Sequence, residues 1–277
     1  MPATAEETVC SRCGGRGWVV EADGGAGSAR PCSCRDQTRV ARLLAAAGIP
    51  ERYRGCKLDN FQVNLQGSKP GSKSQLVRAL TIARRYTDAF LTEGGGFLET
   101  GLLFVGPTGV GKTHLAAAIL SELIRRYHVR GRFADFTSLI HQIQATFDPR
   151  SEESKRELLD PVVEAELLVL DELGAQKPTG WVNDLLYLIV NTRYTRRLPT
   201  VFTTNYKLEE GAGAAARREA TGAGPNESGT GSSSLLLTDR IPKPLVSRLH
   251  EMAQPVLLTA VDDFRREYKV HQHRLEP

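Results

Sequence analysis

The chain has 277 residues, of which 40% are apolar and 25% charged, and its net charge is +4. That length and balance fit globular protein with one core of about 180 to 200 residues plus a small module. No apolar stretch approaches the roughly 20 residues that span a bilayer, and Met1 to Glu7 lack a basic region followed by a hydrophobic one, so the expected location is cytoplasmic, with no membrane partner. The charge is too small to argue for nucleic acid by itself.

Residues 1–60 hold all five cysteines. Four are paired as Cys10-x-x-Cys13 and Cys32-x-Cys34, and two such turns can complete a tetrahedral Zn²⁺ site. Disulfides are the rival use, but they do not persist in a reducing cytosol. Trp18-Val19-Val20 and the turn from Asp23 to Ala29 suggest a small hairpin that could not fold without the metal. The stretch Cys10 to Gly17 resembles the Cys-x-x-Cys-x-Gly-x-Gly knuckles of DnaJ-type chaperones, a likeness confined to the knuckle. Cys56 has no sequence partner and reads as a small buried side chain.

A helix over Asp36 to Ala47, ended by Gly48 and Pro50, joins this module to the rest. The segment Gly67 to Ser74 reads as a solvated loop before a helix over Gln75 to Leu91. Strand signals then fall at Leu102–Val105, Arg132–Phe136, Leu167–Leu170, Thr200–Thr204 and Val256–Thr259. Helical stretches lie between them at Lys112–Tyr127, Ser138–Phe147, Trp181–Arg196 and Leu245–Ala253. Such alternation predicts an α/β fold, a parallel sheet flanked by helices. Gly211 to Ser234 has no large apolar side chain and reads as a flexible insertion. The division expected is therefore a zinc-binding module with linker helix over 1–60 and a nucleotide-binding domain over 61–277.

Gly106-Pro107-Thr108-Gly109-Val110-Gly111-Lys112-Thr113 follows the strand Leu102–Val105 and opens an alanine-rich helix beginning Lys112-Thr113-His114. Glycines let backbone N–H groups turn around a triphosphate, and a helix N-terminus adds partial positive charge. Lys112 supplies an ammonium and Thr113 a hydroxyl for Mg²⁺, so residues 106–114 are the expected ATP cradle. Leu167-Leu168-Val169-Leu170 ends in Asp171 and Glu172, where a parallel sheet presents groups to a ligand. Asp171 is assigned to the Mg²⁺ shell and Glu172 to polarising the attacking water. Asn205, after Thr203-Thr204, would reach the γ-phosphate or that water from a strand between the other two.

In this order the three motifs resemble the AAA+ ATPases, and Val246 to Met252 looks like the segment after sensor 1 in DnaC- and DnaI-type helicase loaders. The likeness covers roughly residues 50 to 268, with Pro50-Glu51-Arg52-Tyr53 and Asn60-Phe61 resembling the lead into the core. It implies a P-loop ATPase sheet, head-to-tail self-association, and an Arg248 lent to the neighbour's nucleotide site. It also implies a replicative DNA helicase and single-stranded DNA as partners, with the cysteine module gripping the helicase. Two departures stand out. The family's second arginine, four positions before the finger, is Pro244 here, with Arg240 the nearest substitute, and the 211–234 insertion is unusual. The chain ends too soon for a helical lid, as it does in loaders of this type; Arg265 or Arg266 reads as a solvated helix face.

An IstB-type transposition helper is the near alternative, sharing the core motifs but acting with a transposase on DNA. A small-metabolite kinase is disfavoured because Glu172 would admit water where kinases exclude it. A zinc-dependent interaction module using ATP as a passive switch is the remaining class.

Overall fold

Parallel strands covered on both faces favour apolar and β-branched residues; two segments are almost wholly apolar and a third, Thr-Val-Phe-Thr-Thr, mixes apolar residues with threonines. Gly101–Val105 (β3), Leu167–Asp171 (β5) and Thr200–Thr204 (β6) are buried along their whole length. The computed structural model describes residues 10–14, 16–21, 28–64, 71–148, 154–176, 178–208, 236–261 and 263–264. The 211–234 insertion, Arg265 and Arg266, most of the hairpin turn and the loop over 67–70 lie outside these residues.

Five strands form one parallel sheet in the order β4-β5-β6-β3-β7, where β4 is Gly131–Asp135 and β7 is Ala253–Leu257. Alternation along β3 divides the core. Leu102 and Phe104 face α2 (Ser72–Asp88) and α3 (Lys112–Tyr127), together with Val169, Val201 and Val256. Leu103 and Val105 face the opposite layer: α4 (Phe136–Ala145), α5 (Lys155–Glu164), α6 (Gly180–Thr195) and α7 (Lys243–Met252).

Ahead of the sheet, β1 (Trp18–Glu21) and β2 (Ser28–Pro31) make the expected antiparallel hairpin, with Trp18 opposite Pro31. The helix α1 (Cys34–Ala46) follows. Its Leu43 and Leu44 pack on the first core layer, which Ala47, Ile49, Cys56 and Leu58 enter fully. Cys56 is thus a buried core side chain, apart from the paired cysteines.

Several boundaries differ from the sequence expectation. β4 ends at Asp135 because its carboxylate caps α4, accepting the Ser138 N–H at 2.6 Å. The helix therefore starts at Phe136, and Phe147 falls beyond it, 60% exposed. Leu91 leaves α2 to bridge Phe97. Ala253 is extended rather than helical, so β7 begins three residues before Val256. Pro255 is tolerated because β7 is an edge strand. The unexpected element is α5. Ser154 and Glu157 form a reciprocal capping box at its start, and Pro161 sits within it.

Candidate functional site

The strand order places the carboxyl ends of β5, β6 and β3 side by side, with β6 in the middle. Asp171, Asn205 and the 106–113 loop each follow one of these ends, so the three motifs converge. Gly106 passes so close to β7 that a Cβ would lie 2.7 Å from the Leu258 carbonyl oxygen. Gly111 has φ +93°, and a Cβ there would meet the Phe61 ring at 2.6 Å. Both positions demand glycine.

The Lys112 side chain is buried, and its ammonium donates to three oxygens: the Gly106 carbonyl at 2.9 Å, the Pro107 carbonyl at 2.7 Å and Asn205 Oδ1 at 2.7 Å. The cradle lysine and the amide after β6 are thereby linked in one chain. On the other side, the Thr113 hydroxyl donates to Asp171 Oδ1 at 3.0 Å, and the Thr203 hydroxyl donates to the same oxygen at 2.5 Å. The Thr203 oxygen also accepts the Glu172 N–H at 3.0 Å. Glu172 takes a left-handed backbone, φ +58°, and the turn is fastened when the Leu173 N–H donates to the Thr203 carbonyl at 2.8 Å.

Burial pushes the Asp171 carboxyl up to about 6, against the hydrogen bonds from Thr203 and Thr113 that favour its charged form; the nearby Glu172 and Asp135 charges push in the same direction as burial. Octahedral Mg²⁺ with bonds of about 2.0 to 2.1 Å needs adjacent ligand oxygens about 2.9 Å apart. The Thr113–Asp171 oxygen pair at 3.0 Å fits that edge.

A cleft of about 280 Å³ opens over these groups, and Phe61, His114, Val261 and Phe264 are among the side chains along its walls. His114 lines it but points Nε2 at the Lys57 carbonyl, 3.0 Å away; since a carbonyl only accepts, that nitrogen carries the proton. Its ring meets Phe61 edge-on at 5.4 Å, and burial lowers its pKa, keeping it neutral. His114 thus ties the segment before the core to the cradle helix. Thr203 and Phe61 were not assigned to the site from sequence. Thr203 is one of three threonines on β6 and so carried no distinguishing signal, and Phe61 is brought in only by tertiary packing.

Arg248 does not line this cleft. It lies on the exposed side of α7, its guanidinium 5.1 Å from the Tyr187 ring and 5.6 Å from the Tyr194 ring of α6. Arg240 is committed within its own chain. It donates to the carbonyls of Gly174 at 2.9 Å, Ala175 at 3.0 Å and Gln176 at 3.1 Å, and stacks over Tyr206. It anchors the loop after Glu172.

The four paired cysteines converge as well. Cys10 and Cys32 sulfurs are 3.9 Å apart, Cys13 and Cys34 sulfurs 3.4 Å, and all four lie within 4.8 Å of one another. Zinc–sulfur bonds of about 2.3 Å set tetrahedral edges of about 3.8 Å, so the arrangement is consistent with a zinc module. The Gly17 N–H, donated to Cys13 at 3.2 Å, draws that thiol down to about 7.

The model of the family described as IstB-like ATP binding protein matches residues 29–215. The replicative helicase loader DnaC of Escherichia coli (strain K12) is 29% identical over 174 residues, which span 62% of this chain and 64% of DnaC. The crystal structure of the DnaC helicase loader is also 29% identical, with a TM-score of 0.55, covering 75% of this chain and 99% of that one. The crystal structure of DnaI, at 22% identity, agrees in fold, with a TM-score of 0.51 over 76% of this chain and 94% of that chain. With its parallel P-loop sheet and converged cradle, the chain belongs to the IstB-like ATP-binding protein family.

Proposed function

We propose that the chain is a Mg²⁺-dependent ATPase that binds a replicative DNA helicase and assists its loading onto single-stranded DNA. One observation carries the ATPase reading: two hydrogen-bonded groups, Lys112 with Asn205 and Thr113 with Asp171 and Thr203, meet at three adjacent strand ends, with Lys112 and Thr113 neighbours in the chain. Residues 106–114 hold the nucleotide, backbone N–H groups of the cradle and the Lys112 ammonium facing its phosphates. Thr113 and Asp171 would hold Mg²⁺, which neutralises phosphate oxygens when bound. Glu172, raised on its left-handed turn beside the cleft, orients and polarises water toward the γ-phosphate. Asn205 reads the terminal phosphate, because its amide oxygen already shares the Lys112 ammonium. Arg248 projects from the surface of one subunit toward the site of the next, in a head-to-tail assembly.

Cys10, Cys13, Cys32 and Cys34 would hold Zn²⁺, which supplies folding energy to a hairpin too small for a core of its own. The similarity to the helicase loader DnaC supports the helicase as client. The family description supports one alternative, an IstB-like helper acting with a transposase on DNA.

A pull-down separates the clients. The immobilised chain is expected to retain the organism's replicative helicase with ATP, more strongly in Glu172→Gln, which leaves the nucleotide intact, and to lose it in Cys13→Ser. Retention of a transposase with the helicase left in the supernatant would replace the loader reading by its alternative.

A further inference from the structure

We propose that the cysteine module carries a binding surface for single-stranded nucleic acid, formed by an arginine-lined groove with Trp18 at its side. The groove, of about 1180 Å³, runs between the cysteine turns, the hairpin and α1. Six arginines line it: Arg12, Arg16 and Arg30 from the turns and hairpin, Arg35, Arg39 and Arg42 from α1. All are exposed, and Asp36 is the one acid among its lining residues. Arg12, Arg16, Arg39 and Arg42 make no ion pair among the described residues, so within those residues the charge of these four is unpaired.

Two features favour a nucleic-acid strand over an acidic protein. Arg35, Arg39 and Arg42 recur at helical spacing along one face, spanning about 10 Å of helix axis, a row suited to successive phosphates of an extended backbone. Trp18 is 47% exposed, and the Arg35 guanidinium lies over its ring, 4.8 Å from the centroid, so a cation-capped indole stands where an unstacked base could add to the stack. A protein interface would need a larger apolar centre, yet Trp18 is the one exposed large hydrophobic side chain among the described residues of this module. Duplex would offer phosphates but no open base face to Trp18.

The choice of strand as probe rests on the loader reading, while the groove itself does not depend on ATP. The test uses the full chain with Trp181→Phe, which leaves Trp18 as the sole tryptophan. A thymidine 20-mer is titrated without nucleotide while tryptophan quenching and the anisotropy of the labelled oligomer are followed. Trp18 fluorescence is expected to fall as the oligomer binds. The Arg39→Glu, Arg42→Glu pair is expected to weaken binding at least about tenfold and to flatten the salt dependence of log K by about 1.4, two single-strand phosphate contacts. The lysine pair at the same positions keeps the charge and should retain most of the affinity, which guards against a folding defect. Unchanged affinity in the glutamate pair overturns the proposal. So does displacement of the oligomer by polyglutamate as readily as by unlabelled oligomer, which would make the groove an acidic-protein site. Retained binding in a chain that hydrolyses no ATP would remove the loader reading and leave this one standing.

Discussion

Burial raises the Asp171 carboxyl from 3.8 to about 6 even though two threonine hydroxyls donate to it. A raised acid is stabilised folded when protonated, so its favourable contribution is complete below pH 3.8 and is lost as pH rises through about 6. At neutral pH the carboxylate therefore weighs against the fold until a cation shares it. Asp171→Asn keeps an oxygen for Thr113 and Thr203 without the charge. The metal-free variant should be more stable than the parent by about 1 to 3 kcal/mol at pH 7.5, with the gap closing toward pH 4.5. Urea unfolding at the two pH values, in chelator, measures this; a gap independent of pH would contradict it. The same substitution should weaken Mg²⁺-dependent nucleotide binding, since the cation loses its charged ligand. Destabilisation at a binding group is a common exchange of stability for function.

Arg193 shows how the helices on the second face are locked to the sheet. The side chain is fully buried on α6 and donates to five oxygens. They are the carbonyls of Val162, Val163 and Ala165 at the end of α5, the carbonyl of Pro199, and the Thr200 hydroxyl opening β6. Burial lowers its pKa to about 9, which leaves it charged at neutral pH. Arg193→Ala strands those carbonyls and should cost about 3 to 5 kcal/mol in a urea melt; a loss below about 1 kcal/mol would show the clamp to be dispensable. No sequence pattern marked this residue, since an arginine near the end of an amphipathic helix ordinarily reads as a solvated charge. The α5 it fastens was missed for a related reason. Pro161 and the charged run around it break the apolar period there. Strands β3 and β5 and helix α3 were legible because apolar runs and an alanine-rich face leave few alternatives, and β6 because its residues are all β-branched or aromatic. Boundaries set by one hydrogen bond, such as the Asp135 cap, were not.

Across the whole molecule, the order of strands turns scattered motifs into a site, and it was readable in outline because an alternating pattern with a cradle on its first core strand has few right-handed arrangements. What the pattern could not supply was the wall of the cleft. Phe61 and the Lys57 carbonyl arrive from the segment after α1 and meet His114 on the cradle helix, so the linker and the nucleotide site are one packed unit. Arg248 faces outward against Tyr187 and Tyr194, and the proposed head-to-tail assembly would make each site dependent on a neighbour's copy of it. Arg248→Ala and Lys112→Ala subunits, each inactive alone, should regain hydrolysis when mixed, because some interfaces then join an intact cradle to an intact finger. No recovery on mixing would contradict head-to-tail sharing. The nucleotide site itself is tested by calorimetric titration of ATP with Mg²⁺ into the full chain and into Lys112→Ala. The parent should bind one nucleotide per subunit, and removing the buried ammonium should weaken binding at least about tenfold, as expected for lost charge-assisted contacts. Equal affinity in the two proteins, or no heat of binding in the parent, would contradict the assignment of this cleft to ATP.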